Sequence, residues 1–166
     1  LMMATELNAM PKLTADGANA VDKKFDNLKL NIRQLKIDVG ATKPFGALHV
    51  SDSHMTRADE RDGERKMNLA AGRYKVFPLA EHYFDLQIRY ALAKGLMMIH
   101  TGDMIDFVSE RNHAFIRSQL RVGQWVASTG NHEYSLYVGE AKEDEAYKAQ
   151  SRDKLQKAYG DVCNVT

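Results

Sequence analysis

Apolar positions recur along this chain with a changing period, and the changes mark its elements. In "NLKLNIRQLKIDV", residues 27–39, Leu28, Leu30 and Ile32, then Leu35, Ile37 and Val39, sit at alternate positions, the pattern of a half-buried strand. Val21, Phe25, Leu28, Ile32 and Leu35 also follow a 4-3-4-3 spacing, so a helix passing into a strand near Asn27 competes with that reading. "GATKP" at 40–44 reads as a turn. The run 45–50, "FGALHV", predicts a short buried strand, and the charged, aperiodic "TRADERDGERK" at 56–66 predicts a solvated loop. Leu79, Tyr83, Leu86, Tyr90 and Ala93 mark an amphipathic helix, with Pro78 at its start and Gly95 at its end. "LMMIH" at 96–100 predicts a second strand, and residues 109–120 a second helix with Phe115, Ile116 and Leu120 inward. "QWVAS" at 124–128 gives a third strand. The segment 140–159 is a charged helix with a thin stripe through Ala146, Ala149, Leu155 and Tyr159. Strand, helix, strand, helix, strand between 45 and 128 argues for an α/β fold of parallel βαβ units.

Composition narrows the class without naming a task. With 166 residues, 44% of them apolar and 27% charged, the chain suits one ordinary globular domain, or one domain with an appendage. Its 23 Lys and Arg against 22 Asp and Glu give no bulk charge that points to nucleic acid or an acidic membrane. The single Cys163 excludes an intrachain disulfide framework and a multi-cysteine zinc site. The first twenty residues lack the layout of a secretion signal. No apolar stretch approaches the roughly 20 residues of a membrane helix, so a cytoplasmic location is expected.

Each strand of the βαβαβ pattern ends in ligand-type side chains. The first runs into Asp52, Ser53 and His54, the second into Gly102, Asp103 and Asp106, the third into Gly130, Asn131, His132 and Glu133. Parallel strands bring these clusters to one edge of the sheet, where open α/β folds bind ligands. The chemistry suggested is metal binding. Asp52 and His54 are two apart and can share a cation, the Asp103 carboxylate can bridge two, and the Asn131 amide oxygen suits a hard ion such as manganese or iron. Gly102 and Gly130 permit the tight turns and close backbone approach that convergence requires. His132 is free to donate a proton if Glu133 or a backbone oxygen fixes its tautomer.

The ordered stretches "DSH", "GDMID" and "GNHE" resemble the calcineurin-like metallophosphoesterases over residues 45–133, about half the chain. The resemblance implies a two-sheet sandwich flanked by helices, of which this chain holds the N-terminal βαβαβ half, with residues 1–44 as an extension and 45–166 as the partial domain. It implies two divalent ions of the manganese, iron or zinc kind, and a metal-activated hydroxide that hydrolyses a small phosphomonoester or phosphodiester. It assigns Asp52 and His54 to the first metal, Asp103 as bridge and Asn131 to the second. His132 becomes the histidine beside the scissile phosphate, Glu133 its orienting partner, and Asp106 a supporting carboxylate. The insertion between Asp52 and Asp103 is expected to form a lid or specificity loop.

The family completes its site with an isolated histidine and a Gly-His-x-His pair. Here the histidines are at 49, 54, 82, 100, 113 and 132, with none beyond. A chain opening on Leu1 and closing on "GDVCNVT" is therefore expected to be a fragment of a longer reading frame, weak in metal binding and catalysis by itself. Two rivals stand beside the hydrolase: a catalytically silent scaffold of the same fold, and a nuclease, to which the near-neutral charge gives no support. Among single residues, His49 and His100 are expected in the core or behind the ligands. His82 and His113 are expected at the surface or its boundary, and Met97, Met98 and Trp125 in the core.

Overall fold

The computed structural model describes residues 12–19, 32–138 and 145–160. The chain divides into two units, Leu1–Phe45 and Gly46–Thr166. In the first, strand β1 (Lys12–Asn19) pairs antiparallel with β2 (Arg33–Asp38), Lys12 opposite Asp38 and Ala15 opposite Leu35. The alternation of residues 33–38 is thus a strand, but not a half-buried one. Every residue of β2 is exposed, Leu35 at 60% and Ile37 at 51%, because a two-stranded ribbon has no second layer of its own to bury against. The competing helix and the turn to strand at Asn27 fall in 20–31, outside the described residues.

The second unit is a mixed α/β layer structure. Strands β3 (Ala47–Val50), β4 (Met97–His100) and β5 (Trp125–Ala127) form a parallel sheet in the order β3-β4-β5. Val50 pairs with His100, and His100 with Ala127, so the three strands reach the same edge together. Helices α1 (Glu64–Tyr74) and α2 (Ala80–Lys94) lie between β3 and β4 in sequence, α3 (Glu110–Leu120) between β4 and β5, and α4 (Glu145–Tyr159) follows. Consecutive strands are neighbours, as the shortest parallel crossovers require.

The core forms where Val50 and Met98 of the sheet meet Phe84, Ile88 and Ala91 of α2 and Ile116 and Leu120 of α3. On α2, Phe84, Ile88 and Ala91 face the core; Leu86 and Tyr90 of the expected stripe are buried on another face, whereas Leu79 is 50% exposed and Ala93 lies at the surface. The register follows the large Phe84 ring, which packs 5.9 Å from Trp125 and 6.0 Å from His100, centroid to centroid. Gly95 ends α2 in the left-handed region at φ 63°. On α4, Leu155 and Tyr159 of the expected stripe are buried, together with Ser151, while Ala146 and Ala149 at its start are exposed. Cys163 lies outside the described residues.

The charged segment 56–66 is not a solvated loop. Asp59 caps a short 3-10 turn, Glu60–Asp62, and the good helix formers from Glu64 onward carry α1. Asp62 accepts the N–H of Glu110 at 2.6 Å, and Lys66 donates to the Val108 carbonyl at 2.6 Å, so the segment is fastened to the start of α3. Residues 56–66 are thus a docked part of the fold.

Two histidines depart from their expected places. His49 is exposed and shares a 3.0 Å hydrogen bond with the Thr101 hydroxyl, since β3 turns it to the sheet's outer face. His113 is 8% exposed, packed against Tyr159 of α4, which covers the face of α3 that the sequence left at the surface. Burial holds both His113 and His100 down at a pKa of about 4. Unfolded, each has an ordinary pKa of 6.5, so below that pH the unfolded chain binds more protons. Their stabilising contributions are present above pH 6.5 and fall away towards about pH 4. His113→Phe should therefore make the loss of urea stability over that range shallower, by about 3 kcal/mol at most. Identical profiles for the two proteins would contradict the buried, neutral His113.

Candidate metal centre

The chain leaves its strands in an unusual backbone conformation. Among the described non-glycine residues, Asp52 (φ 55°), His54 (φ 46°) and Asp103 (φ 55°) have positive φ. L-residues adopt this left-handed region rarely and at a cost, and such residues cluster at functional sites. Here they are three of the residues that the sequence marks as ligands.

Backbone pairing holds the turns in place. Past the ends of β3 and β4 the parallel ladder continues: Asp52 N–H donates to the Gly102 carbonyl at 3.1 Å, His54 N–H to Asp103 at 3.0 Å, and Met55 N–H to Met104 at 2.9 Å. The third strand end joins through the Asp103 carboxylate, whose Oδ1 accepts the His132 N–H at 3.0 Å. The two glycines are needed for closeness. A Cβ on Gly102, at φ 108°, would meet the Gly130 nitrogen at 2.6 Å, and one on Gly130 would meet Asp103 Oδ1 at 2.1 Å.

Two buried carboxylates support this arrangement from beneath. Glu133, 1% exposed, accepts the N–H groups of Asp103 (3.0 Å) and Gly130 (2.6 Å) on Oε2 and of Ile105 (3.2 Å) on Oε1. Burial raises its pKa, and those three N–H donors pull the other way. Asp106, fully buried, accepts Arg73 Nε at 2.6 Å and Nη2 at 2.9 Å, and faces His54 Nδ1 at 3.1 Å. Burial disfavours its charge, but the bonds from His54 and Arg73 win and lower its pKa. The Asp106 carbonyl lies 2.7 Å from His132 Nδ1. Both rings thus have their Nδ1 engaged, which leaves each Nε2 for a ligand. The bond to Asp106, with the Asp106, Asp103 and Asp52 charges, raises the pKa of His54 against the effect of burial.

One ligand atom each from His54, Asp103 and His132 lies within 4.8 Å of the others, a separation that one cation could span. Asp52 stands just outside, its Oδ1 3.6 Å from His54 Nε2 and its Oδ2 accepting the Ser51 hydroxyl, a bond that lowers its pKa. Asn131 is exposed and opens a 3-10 turn, His132–Tyr134, without a side-chain capping bond, so its amide is not engaged as an ordinary cap. The donor set of imidazole nitrogens and carboxylate oxygens suits a divalent transition metal.

The expected role of Glu133 changes. The Asp106 carbonyl, not Glu133, contacts the His132 imidazole, and Glu133 instead clamps the turns after β4 and β5. Two residues of the site had no signal in the sequence. Arg73 pairs with Asp106, and Phe77 stacks on His54 at 4.8 Å with rings 4° from parallel. Both lie at and beyond the end of α1, in an insertion without a readable period. Behind the site, His100 is 1% exposed as expected, its Nε2 2.8 Å from the Ser53 hydroxyl.

The chain matches no family model, no curated protein and no solved structure. The site is therefore read from its own geometry. Among the described residues, no helix is long and apolar enough to cross a membrane.

The clamp makes a direct prediction. In Glu133→Gln one carboxylate oxygen becomes an NH2 that cannot accept; with the amide oxygen kept at the Oε2 position, which holds two N–H groups, the Ile105 N–H loses its acceptor. Destabilisation of about 2 kcal/mol is expected by urea unfolding, with faster hydrogen exchange at Ile105. Unchanged stability and exchange would show that the three bonds do not hold the turns.

Proposed function

We propose that this chain carries a calcineurin-like metallophosphoesterase site that hydrolyses phosphate esters with two divalent cations. The observation that carries the reading is the convergence, at the ends of adjacent parallel strands, of His54, Asp103 and His132, with Asp52, His54 and Asp103 all in the left-handed region. A turn built only for packing gains nothing from three strained, ligand-type residues in one place.

In this reading His54 and Asp103 hold metal, with Asp52 and Asn131 beside them to complete it. Bound there, divalent cations would supply a water of lowered pKa and positive charge for the phosphate oxygens. His132, its Nδ1 held at the Asp106 carbonyl, offers Nε2 to a phosphoryl oxygen or to the leaving group. Arg73 and Asp106 keep the His54 ring in its tautomer, and Phe77 fixes its plane. Small phosphomonoesters and phosphodiesters are the substrate classes.

Two substitutions test the roles. Asp103→Ala should weaken manganese binding at least tenfold, measured by titration, and abolish hydrolysis of p-nitrophenyl phosphate and its bis ester wherever the parent shows it. Undiminished metal binding would sink the assignment. His132→Gln should keep the metal and lower turnover by about 10²–10⁴. Loss of metal instead would make His132 a ligand, which its place in the cluster also allows.

A further inference from the structure

A second concavity lies away from the metal cluster, among α1, α3 and α4. Its volume is about 460 Å³, within the range of small-molecule sites, and it shares no lining residue with the strand ends. Its walls are fastened on two sides. Asp62 and Lys66 tie the start of α1 to α3, and Arg117 of α3 donates to the Ala158 carbonyl of α4 at 3.0 Å.

The lining is cationic. Arg61, Lys66, Arg117, Lys154 and Lys157 contribute to it, against the carboxylates of Asp62 and Glu110. Some of that charge is already used: Arg61 pairs with Asp59 at 2.7 Å, and Asp62 caps α3. Lys154 and Lys157, three apart on α4 and so on one face, are exposed and form no ion pair among the described residues. Lys66 points one donor at the Val108 carbonyl, and burial lowers its pKa, with the Lys154 charge adding to the effect. At the cleft wall, His113 is 8% exposed and its Nε2 is buried with no hydrogen-bond partner. A buried polar atom left without a partner is unfavourable, and a ligand atom that reached it would relieve that cost.

We propose that this cleft binds a small organic phosphate. Lys154 and Lys157 supply two point charges for a dianionic phosphoryl group, and His113 Nε2 supplies a deeper polar contact. Val108, Ala114 and Ala158 offer apolar wall for a carbon skeleton, and the volume exceeds what inorganic phosphate alone would fill. The site stands independently of the metal-centre reading and would serve a phosphorylated regulator or a second substrate-like molecule.

The test is calorimetric titration of glycerol 3-phosphate into the EDTA-treated full chain. Saturable binding is expected, weakened at least tenfold in the Lys154→Glu, Lys157→Glu double variant and retained in Asp103→Ala. Both lysines are exposed on a helix, so circular dichroism should show the variant folded. Absence of saturation, or equal binding by the lysine variant, would overturn the site. So would loss of binding in Asp103→Ala, which would place the phosphate at the metal cluster. Binding only to vesicles containing phosphatidic acid, and not to glycerol 3-phosphate, would overturn the small-molecule assignment in favour of a lipid headgroup.

Discussion

The Asp106 carboxylate is the constraint on which the rest of the site depends. Fully buried, it stays charged because the Arg73 guanidinium and the His54 imidazole both donate to it. Removing one partner of such a pair costs several kcal/mol, since the other charge is left buried and uncompensated. Through its side chain and its carbonyl the same residue engages the Nδ1 atoms of His54 and His132. The ring that stacks on Phe77 and the ring that meets it edge-on at 4.6 Å are thus held from a single point.

That point works because the sheet delivers three chain segments to it. The ladder that pairs β3 with β4 runs on through Met55 and Ile105, and Glu133 gathers the turns after β4 and β5. Strain at Asp52, His54 and Asp103 is stored in these turns and held there by the surrounding hydrogen bonds. The charged insertion closes the structure from the other side, with Asp62 capping α3 and Arg73 reaching Asp106. A long acidic and basic stretch that looks solvated thus supplies both a helix cap and the counter-ion of the site.

How much of this was legible depends on the kind of signal. The three strands were readable from short apolar runs, and the strand ends from clusters such as "GNHE", because parallel pairing places such ends together. Helix α1 was not, since Glu64, Arg65 and Lys66 mask a stripe that carries few apolar residues. The burial of His113 and the exposure of Ala146 and Ala149 depend on how α4 docks, which local periodicity does not encode. Apart from the bond from Gly130 to Glu133, the contacts that give Glu133 and Arg73 their tasks cross 28 to 33 positions in sequence, and no spacing rule finds them.

The central claim is that His54 and Asp103 hold a divalent metal, with His132 beside it. The most direct measurement is manganese titration of the chain followed by electron paramagnetic resonance, reading the bound ion for coupling to imidazole nitrogen. The account predicts a bound ion with histidine nitrogen in its coordination sphere. Manganese that stays free in solution, or binds with oxygen ligands alone, would contradict it.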